Sequence, residues 1–150
     1  MEIDPRGPRF GAMITTVVLA TVLITGSVWL LAAQALVFAV GAVFGLRYAP
    51  YGVLYRKVIR PRLGPPVELE SEAPPRFAQA VGLAFALIGV AGYAAGLTWL
   101  GLTATAAALA AAFLNAAFGF CLGCEMYLII RRIWPGRPAL VLATAEKEEP

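Results

Sequence analysis

Histidine is absent from the 150-residue chain. With it go the commonest metal ligand and the commonest general base near neutral pH. Cysteine is nearly absent: Cys121 and Cys124 are the only two, too few for a disulfide-braced scaffold. Charge is scarce and segregated. Charged residues make up 14% of the chain, against about 25% in soluble domains. None falls within 11–46 or 77–124. Helices of small soluble domains carry a polar face; these runs have none, which excludes burial in a soluble core. Each run is too long for one bilayer crossing at ~20 residues and suits two.

What is present is hydrophobic, 60% of the chain, with a net charge of +3. The basic residues cluster at Arg6 and Arg9, from Arg47 to Arg76, and from Arg131 onward. The turns inside the apolar runs carry none. Lys/Arg-rich segments face the cytoplasm, so both termini and the middle segment are expected there. Basic residues at membrane edges, without a companion fold signal, argue against nucleic-acid binding. Glu2 and Asp4 dilute a signal-type leader, so the first span is expected to be retained.

The expected fold is an all-α integral membrane domain of four transmembrane helices in two tandem hairpins. Hairpin one covers about 10–46, with spans at 10–25 and 28–46 and a turn at Gly26-Ser27 or at 32–34. A cytoplasmic connector covers about 47–76. Pro50 should end or kink the second span. Tyr51, Leu54, Tyr55, Val58 and Ile59 then form an apolar stripe flanked by Arg56, Lys57 and Arg60. That pattern fits a short interfacial helix or a cytoplasmic extension of span two. Glu68, Glu70 and Glu72 are expected to face solvent. Hairpin two covers about 77–130, with spans at 77–97 and 102–130 and a turn at Thr98–Gly101. The acidic tail at 138–150 is expected to be disordered.

The halves resemble each other. Pro8-Arg9-Phe10 matches Pro75-Arg76-Phe77, and Phe44-Gly45 matches Phe118-Gly119. Both hairpins begin and end on the cytoplasmic side, so the repeat would be parallel, its pseudo-twofold axis along the membrane normal. The cysteines then align with 47–50, and only one half carries thiols. Asn115, polar at membrane depth, reads as an interhelical hydrogen-bonding residue or as part of a ligand pocket.

Cys121-Leu122-Gly123-Cys124-Glu125 is where chemistry would reside. Cys-x-x-Cys on a helix brings two sulfurs one turn apart, within disulfide reach. Such a bond tethers no separate helices; it stores two electrons. Glu125 shares a face with Cys121 and is placed to move a proton. Three readings stand: thiol-redox or sulfur transfer, metal binding by two soft thiolates, and inert packing. Without histidine the metal set is incomplete, and no metal site or cofactor is assigned. A continuous span four puts the cysteines near its C-terminal end, where the helix dipole disfavours thiolate. A break at Gly119 and Gly123 would reverse this, and Arg131 and Arg132 could assist if the chain folds back.

The stretch 118–125, with Asp4-Pro5-Arg6, Pro50-Tyr51-Gly52, 60–66 and Pro74–Gln79, resembles a bacterial four-span membrane family of unknown function. The likeness covers almost the whole chain. That family is often encoded beside thioredoxin-like and rhodanese-type genes. The resemblance implies sulfur or thiol-redox metabolism at the cell (inner) membrane. It also implies a thioredoxin-like or rhodanese-type cytoplasmic partner. Homo-oligomerisation in the bilayer is a further expectation for so small a membrane protein.

Overall fold

The structure is a computed structural model and describes residues 2–64, 66 and 68–134. The tail expected to be disordered lies outside the described residues. The order of elements is β1 Glu2–Ile3, α1 Arg6–Thr25, α2 Val28–Val43, α3 Pro50–Leu54, a π turn Tyr55–Ile59, α4 Arg60–Leu63, β2 Glu70–Ser71, α5 Ala73–Ala94, α6 Thr98–Phe118 and α7 Leu122–Ile133. Apart from the two-residue antiparallel ribbon of β1 and β2, the protein is all-α.

Three helices, α1, α5 and α6, are long and apolar enough to cross a membrane; α2 is equally apolar but has only 16 residues. The ends of these helices follow from local chemistry. The Ser27 hydroxyl accepts from the Leu30 N–H and starts α2. Asp4 accepts from the Arg6 N–H at the start of α1, and the Ser71 hydroxyl accepts from the Ala73 N–H at the start of α5. Pro74 and Pro75 fall in the first turn of α5, where a missing N–H costs nothing.

Several expectations are corrected. The single helix expected over 102–130 is two helices, α6 and α7, broken after Phe118. Gly119 adopts φ +70°, a left-handed conformation that side chains resist, and the chain restarts at Cys121. The turn between spans three and four lies at 95–97 rather than 98–101, with Gly96 at φ +74°. Helix α2 ends at Val43 rather than near 46, and Pro50 opens α3 instead of ending α2. Proline suits a first helical turn as well as a stop. The connector helix from Pro50 to Leu63 passes Pro61 by widening: the Arg60 N–H reaches back to the Tyr55 carbonyl. A regular α turn would press the Pro61 ring against the carbonyl four residues earlier. Glu72 does not face solvent. Its Oε1 accepts from the Leu46 N–H at 2.8 Å, and a Cβ on Gly45 would lie 2.6 Å from that oxygen.

The packing crosses between the halves. Helix α1 packs most extensively on α6, and α2 on α5; α1 and α2 touch each other far less. Leu19, Val22, Leu31, Ala35, Phe38, Ala86 and Ala108 form the core. In lipid, cohesion comes from close van der Waals approach rather than water exclusion, and small residues provide it. A Cβ on Gly92 would sit 2.7 Å from the Gly101 nitrogen, so α5 and α6 meet backbone to backbone beside their turn. The outward residues are apolar: Val17, Ile24, Trp29 and Leu36 are all strongly exposed.

Contacts recur in matched pairs. Arg9 donates to the carbonyls of Ala116 and Ala117, both at 3.2 Å, and Arg76 donates to those of Ala42 and Val43 at 2.7 and 2.6 Å. The rings of Phe10 and Tyr55 lie 5.9 Å apart, those of Phe77 and Tyr127 5.7 Å. In the ribbon Ile3 stands opposite Glu70. These pairs set a register in which α1 corresponds to α5, α2 to α6, and α3 to α7.

Candidate functional site

The break after Phe118 builds the site. Arg9 holds the last carbonyls of α6, so that helix terminates without needing to continue. The Gly119 N–H returns to the Asn115 carbonyl. Cys121 then takes an extended conformation (φ −89°, ψ 96°) and becomes the N-cap of α7. Its Sγ accepts from the Cys124 N–H at 3.3 Å, and its carbonyl accepts from the Glu125 N–H at 3.0 Å. A disulfide joins Cys121 to Cys124, Cα to Cα 5.2 Å.

This placement reverses the electrostatics expected of one continuous span. The sulfurs lie at a helix N-terminus, where unpaired N–H groups and the dipole favour negative charge. On reduction, Cys121 sulfur is the one already facing a backbone N–H. Glu125 sits exposed in the same first turn. Arg131 and Arg132 are in the last turn of α7, and the Arg131 guanidinium stacks over the Tyr127 ring at 5.9 Å. They do not fold back onto the cysteines. Among the described residues no three of Cys, Asp and Glu gather as a ligand group, so a metal on the two sulfurs would need donors from elsewhere.

Helix α7 is held against α5. A Cβ on Gly123 would lie 2.6 Å from the Ala78 Cβ, so only glycine permits this approach. Beside the disulfide the helices leave a cavity of about 300 Å³. Cys121 and Asn115 both line it, so the cavity takes in these two predicted residues. Cys124 and Glu125 are not in its lining. Gln79 and Thr15 add polar groups, and Ala108, Ala111 and Ala112 of α6 make a smooth apolar wall. Phe85, Leu122 and Met126, also in the lining, are partly exposed on the outer surface, which opens the cavity sideways.

The opposite half carries a polar chain that this one lacks. There the Tyr51 hydroxyl donates to Gln34 Oε1 at 2.8 Å, and Gln34 Nε2 donates to the Thr15 hydroxyl at 3.4 Å. Gln34 is 1% exposed. The corresponding positions, on α7, α6 and α5, hold Gly123, Ala108 and Gly82, and all three border the cavity. A second cavity of about 380 Å³ lies in the first half, where Tyr51, Tyr55, Arg47 and Arg60 line it; there Ala49, the N-cap of α3, takes the place of Cys121, two residues on from the Arg47 that the sequence alignment of the halves set opposite it.

A family model described as "Domain of unknown function (DUF4395)" matches residues 3–132. The chain belongs to the DUF4395 family. No curated protein and no solved structure matches it. The matched span takes in both cysteines of this DUF4395 chain, both capping arginines and every helix from α1 to α6. Sequence reasoning singled out Cys121, Cys124, Glu125 and Asn115 but missed Gln79, Gln34 and Arg9. The signal for Gln34 was present: an amide in a charge-free apolar run needs a partner.

Proposed function

We propose that this DUF4395 protein is a membrane-embedded thiol-redox or sulfur-relay component working through Cys121 and Cys124. In this reading four helices, α1, α2, α5 and α6, cross the cell membrane as two interlocked hairpins. The matched contacts support a parallel repeat with its pseudo-twofold axis along the membrane normal. The basic connector and α7 favour a cytoplasmic face for the disulfide and both termini.

The observation that carries the reading is the disulfide at the N-terminus of α7. A bond three residues long closes too small a loop to brace the fold by chain entropy, and it joins no separate elements. Its position suits a reversible dithiol. A partner thiolate attacks Cys124 Sγ, on the side away from the cavity. The S–S bond breaks, the electron pair leaves on Cys121, and its charge is held by the Cys124 N–H and the helix dipole. A second partner thiol then displaces Cys124. The partner ends as a disulfide, and Cys121 and Cys124 as thiols, with Glu125 passing protons. A thioredoxin-like or rhodanese-type cytoplasmic protein has the required chemistry.

The test uses protein in native membranes and quantitative thiol labelling, before and after purified reduced thioredoxin. Loss of the disulfide at the expense of thioredoxin thiols supports the reading. A bond that resists thioredoxin, or thiols that never oxidise, overturns it. A second reading, a small permease subunit for a sulfur compound, draws on the cavity at Asn115. It predicts uptake of thiosulfate or sulfide by proteoliposomes even in the Cys121→Ala, Cys124→Ala double variant.

A further inference from the structure

We infer that the cavity beside Cys121 binds the ring of a membrane quinone, which accepts the two electrons of the dithiol. The inference rests on the thiol-redox reading and names the acceptor for that same site.

Four observations lead there. First, the polar chain of the first half has no counterpart beside the disulfide: at the positions of Tyr51, Gln34 and Thr15 stand Gly123, Ala108 and Gly82, which border the cavity and offer no hydrogen-bonding side chain. Both halves hold a cavity, and the one in the second half is the one that Cys121 lines. Second, the two sulfurs divide between surfaces. Cys121 lines the cavity and Cys124 does not, so one sulfur meets a soluble partner and the other a bound molecule. Third, the walls suit a flat apolar ring with carbonyl groups. Ala108, Ala111 and Ala112 present no bulk, and the Gln79 and Asn115 amides make no side-chain hydrogen bond to the described residues. Amide N–H groups there are free to donate to a ring carbonyl. The volume is at the small end of the range for ligand sites, enough for a ring but not for a long tail. Fourth, the opening is edged by exposed apolar side chains, Phe85 of α5 and Leu122 and Met126 of α7; with α5 crossing the membrane and α7 at its edge, as proposed above, a lipid-soluble molecule would arrive there and lay its tail along them.

The step balances. The Cys121 thiolate adds to the quinone ring, forming a C–S bond. The Cys124 thiolate attacks Cys121 Sγ; the S–S bond forms, the C–S bond breaks, and its electron pair stays on the ring. Two protons, released by the two thiols, convert the ring oxygens to hydroxyls. Dithiol and quinone become disulfide and quinol. The disulfide is then ready for the next partner dithiol.

The experiment uses full-length protein in phosphatidylethanolamine–phosphatidylglycerol nanodiscs, reduced, desalted and kept free of oxygen. Decylubiquinone and menadione are the probes. Quinol formation is read by absorbance and the Cys121–Cys124 disulfide by mass spectrometry. One quinol per disulfide is expected. Ala112→Leu narrows the cavity away from the sulfurs and should slow quinone-driven reoxidation about tenfold, while reduction by thioredoxin proceeds at the wild-type rate. Gln79→Leu and Asn115→Leu should raise the quinone concentration needed for half-maximal rate. Two outcomes overturn the inference: no quinol, or equal rates in wild type and Ala112→Leu, which marks non-specific thiol addition. If thioredoxin still reduces the disulfide in either case, the thiol-redox reading stands and the quinone does not. If thioredoxin fails as well, both fall.

Discussion

Arg9 and Arg76 cap helices by matched contacts: the Arg9 guanidinium, from the first turn of α1, holds the last carbonyls of α6, and the Arg76 guanidinium, from the first turn of α5, holds those of α2. The two caps are alike in geometry but not in consequence. The helix ended by Arg76 is followed by the Glu72 latch on Leu46. The helix ended by Arg9 is followed by the disulfide.

Replacing either arginine with alanine should therefore lower stability similarly, by about 1 kcal/mol, the net value of an exposed charge-assisted hydrogen bond. Only Arg9→Ala should also change the chemistry. Thermal unfolding in detergent measures the first effect, and the rate of disulfide reduction by dithiothreitol the second. Equal reduction rates in the two variants would mean that the cap has no bearing on the site.

Gly119→Ala should destabilise the protein by about 1 kcal/mol or more, because alanine resists the left-handed conformation. It should also favour continuation of α6 and draw Cys121 out of its N-cap. The expected readout is a disulfide that forms less readily in a glutathione series. Gly26→Ala, at a φ of +66° but far from the sulfurs, should share the stability loss and leave the glutathione titration unchanged.

The two sulfurs should differ in reactivity. In Cys124→Ser the remaining Cys121 keeps its place at the α7 N-terminus; in Cys121→Ser the new hydroxyl takes over the cap and Cys124 loses its partner. Iodoacetamide should alkylate Cys121 faster, by about tenfold, in line with a dipole effect of up to ~2 kcal/mol. Equal rates would remove the electrostatic argument.

Tyr55 gives a pH-dependent prediction. It is 2% exposed and donates to Asp4 Oδ2 at 3.0 Å. Burial first, then the Asp4 hydrogen bond and charge, raise its pKa above the ordinary value. A raised pKa favours the protonated form in the folded state. The Tyr55 contribution is thus complete below about pH 10 and declines as pH climbs through the raised value. Tyr55→Phe should cost about 1 kcal/mol near neutrality and flatten this alkaline decline in unfolding curves.

Filling the polar chain of the first half should be costly. Gln34→Leu strands the buried Thr15 hydroxyl and the Tyr51 hydroxyl, each at the expense of about 1–3 kcal/mol. Thermal unfolding of Gln34→Leu beside Ala108→Val, at the corresponding position, checks whether the two halves differ as described.

Charge placement made the apolar helices and the basic connector legible. Gaps in charge report lipid, and Arg, Lys and Pro report its edges. The same environment did not decide between a continuous span four and a break at Gly119, which the sequence left as an alternative. Apolar residues flank it on both sides, and a bilayer asks for no polar signal at a kink that an arginine from another helix satisfies. Pro50 was misplaced because proline serves the start of a helix as well as its end. Glu72 looked solvated among alternating glutamates; its partner, Leu46, is distant in sequence. The cavity left no local trace at all. Its lining comes from α1, α2, α5, α6 and the start of α7, which no single stretch of the sequence brings together.

The backbone contact of Gly92 with Gly101 has a mechanical consequence. It pins α5 to α6 beside their turn, at the opposite end of α6 from Cys121. The pair behaves as a pair of tongs with its rivet at one tip. Whatever parts these helices does so about that rivet, and the widest excursion falls at the sulfur end.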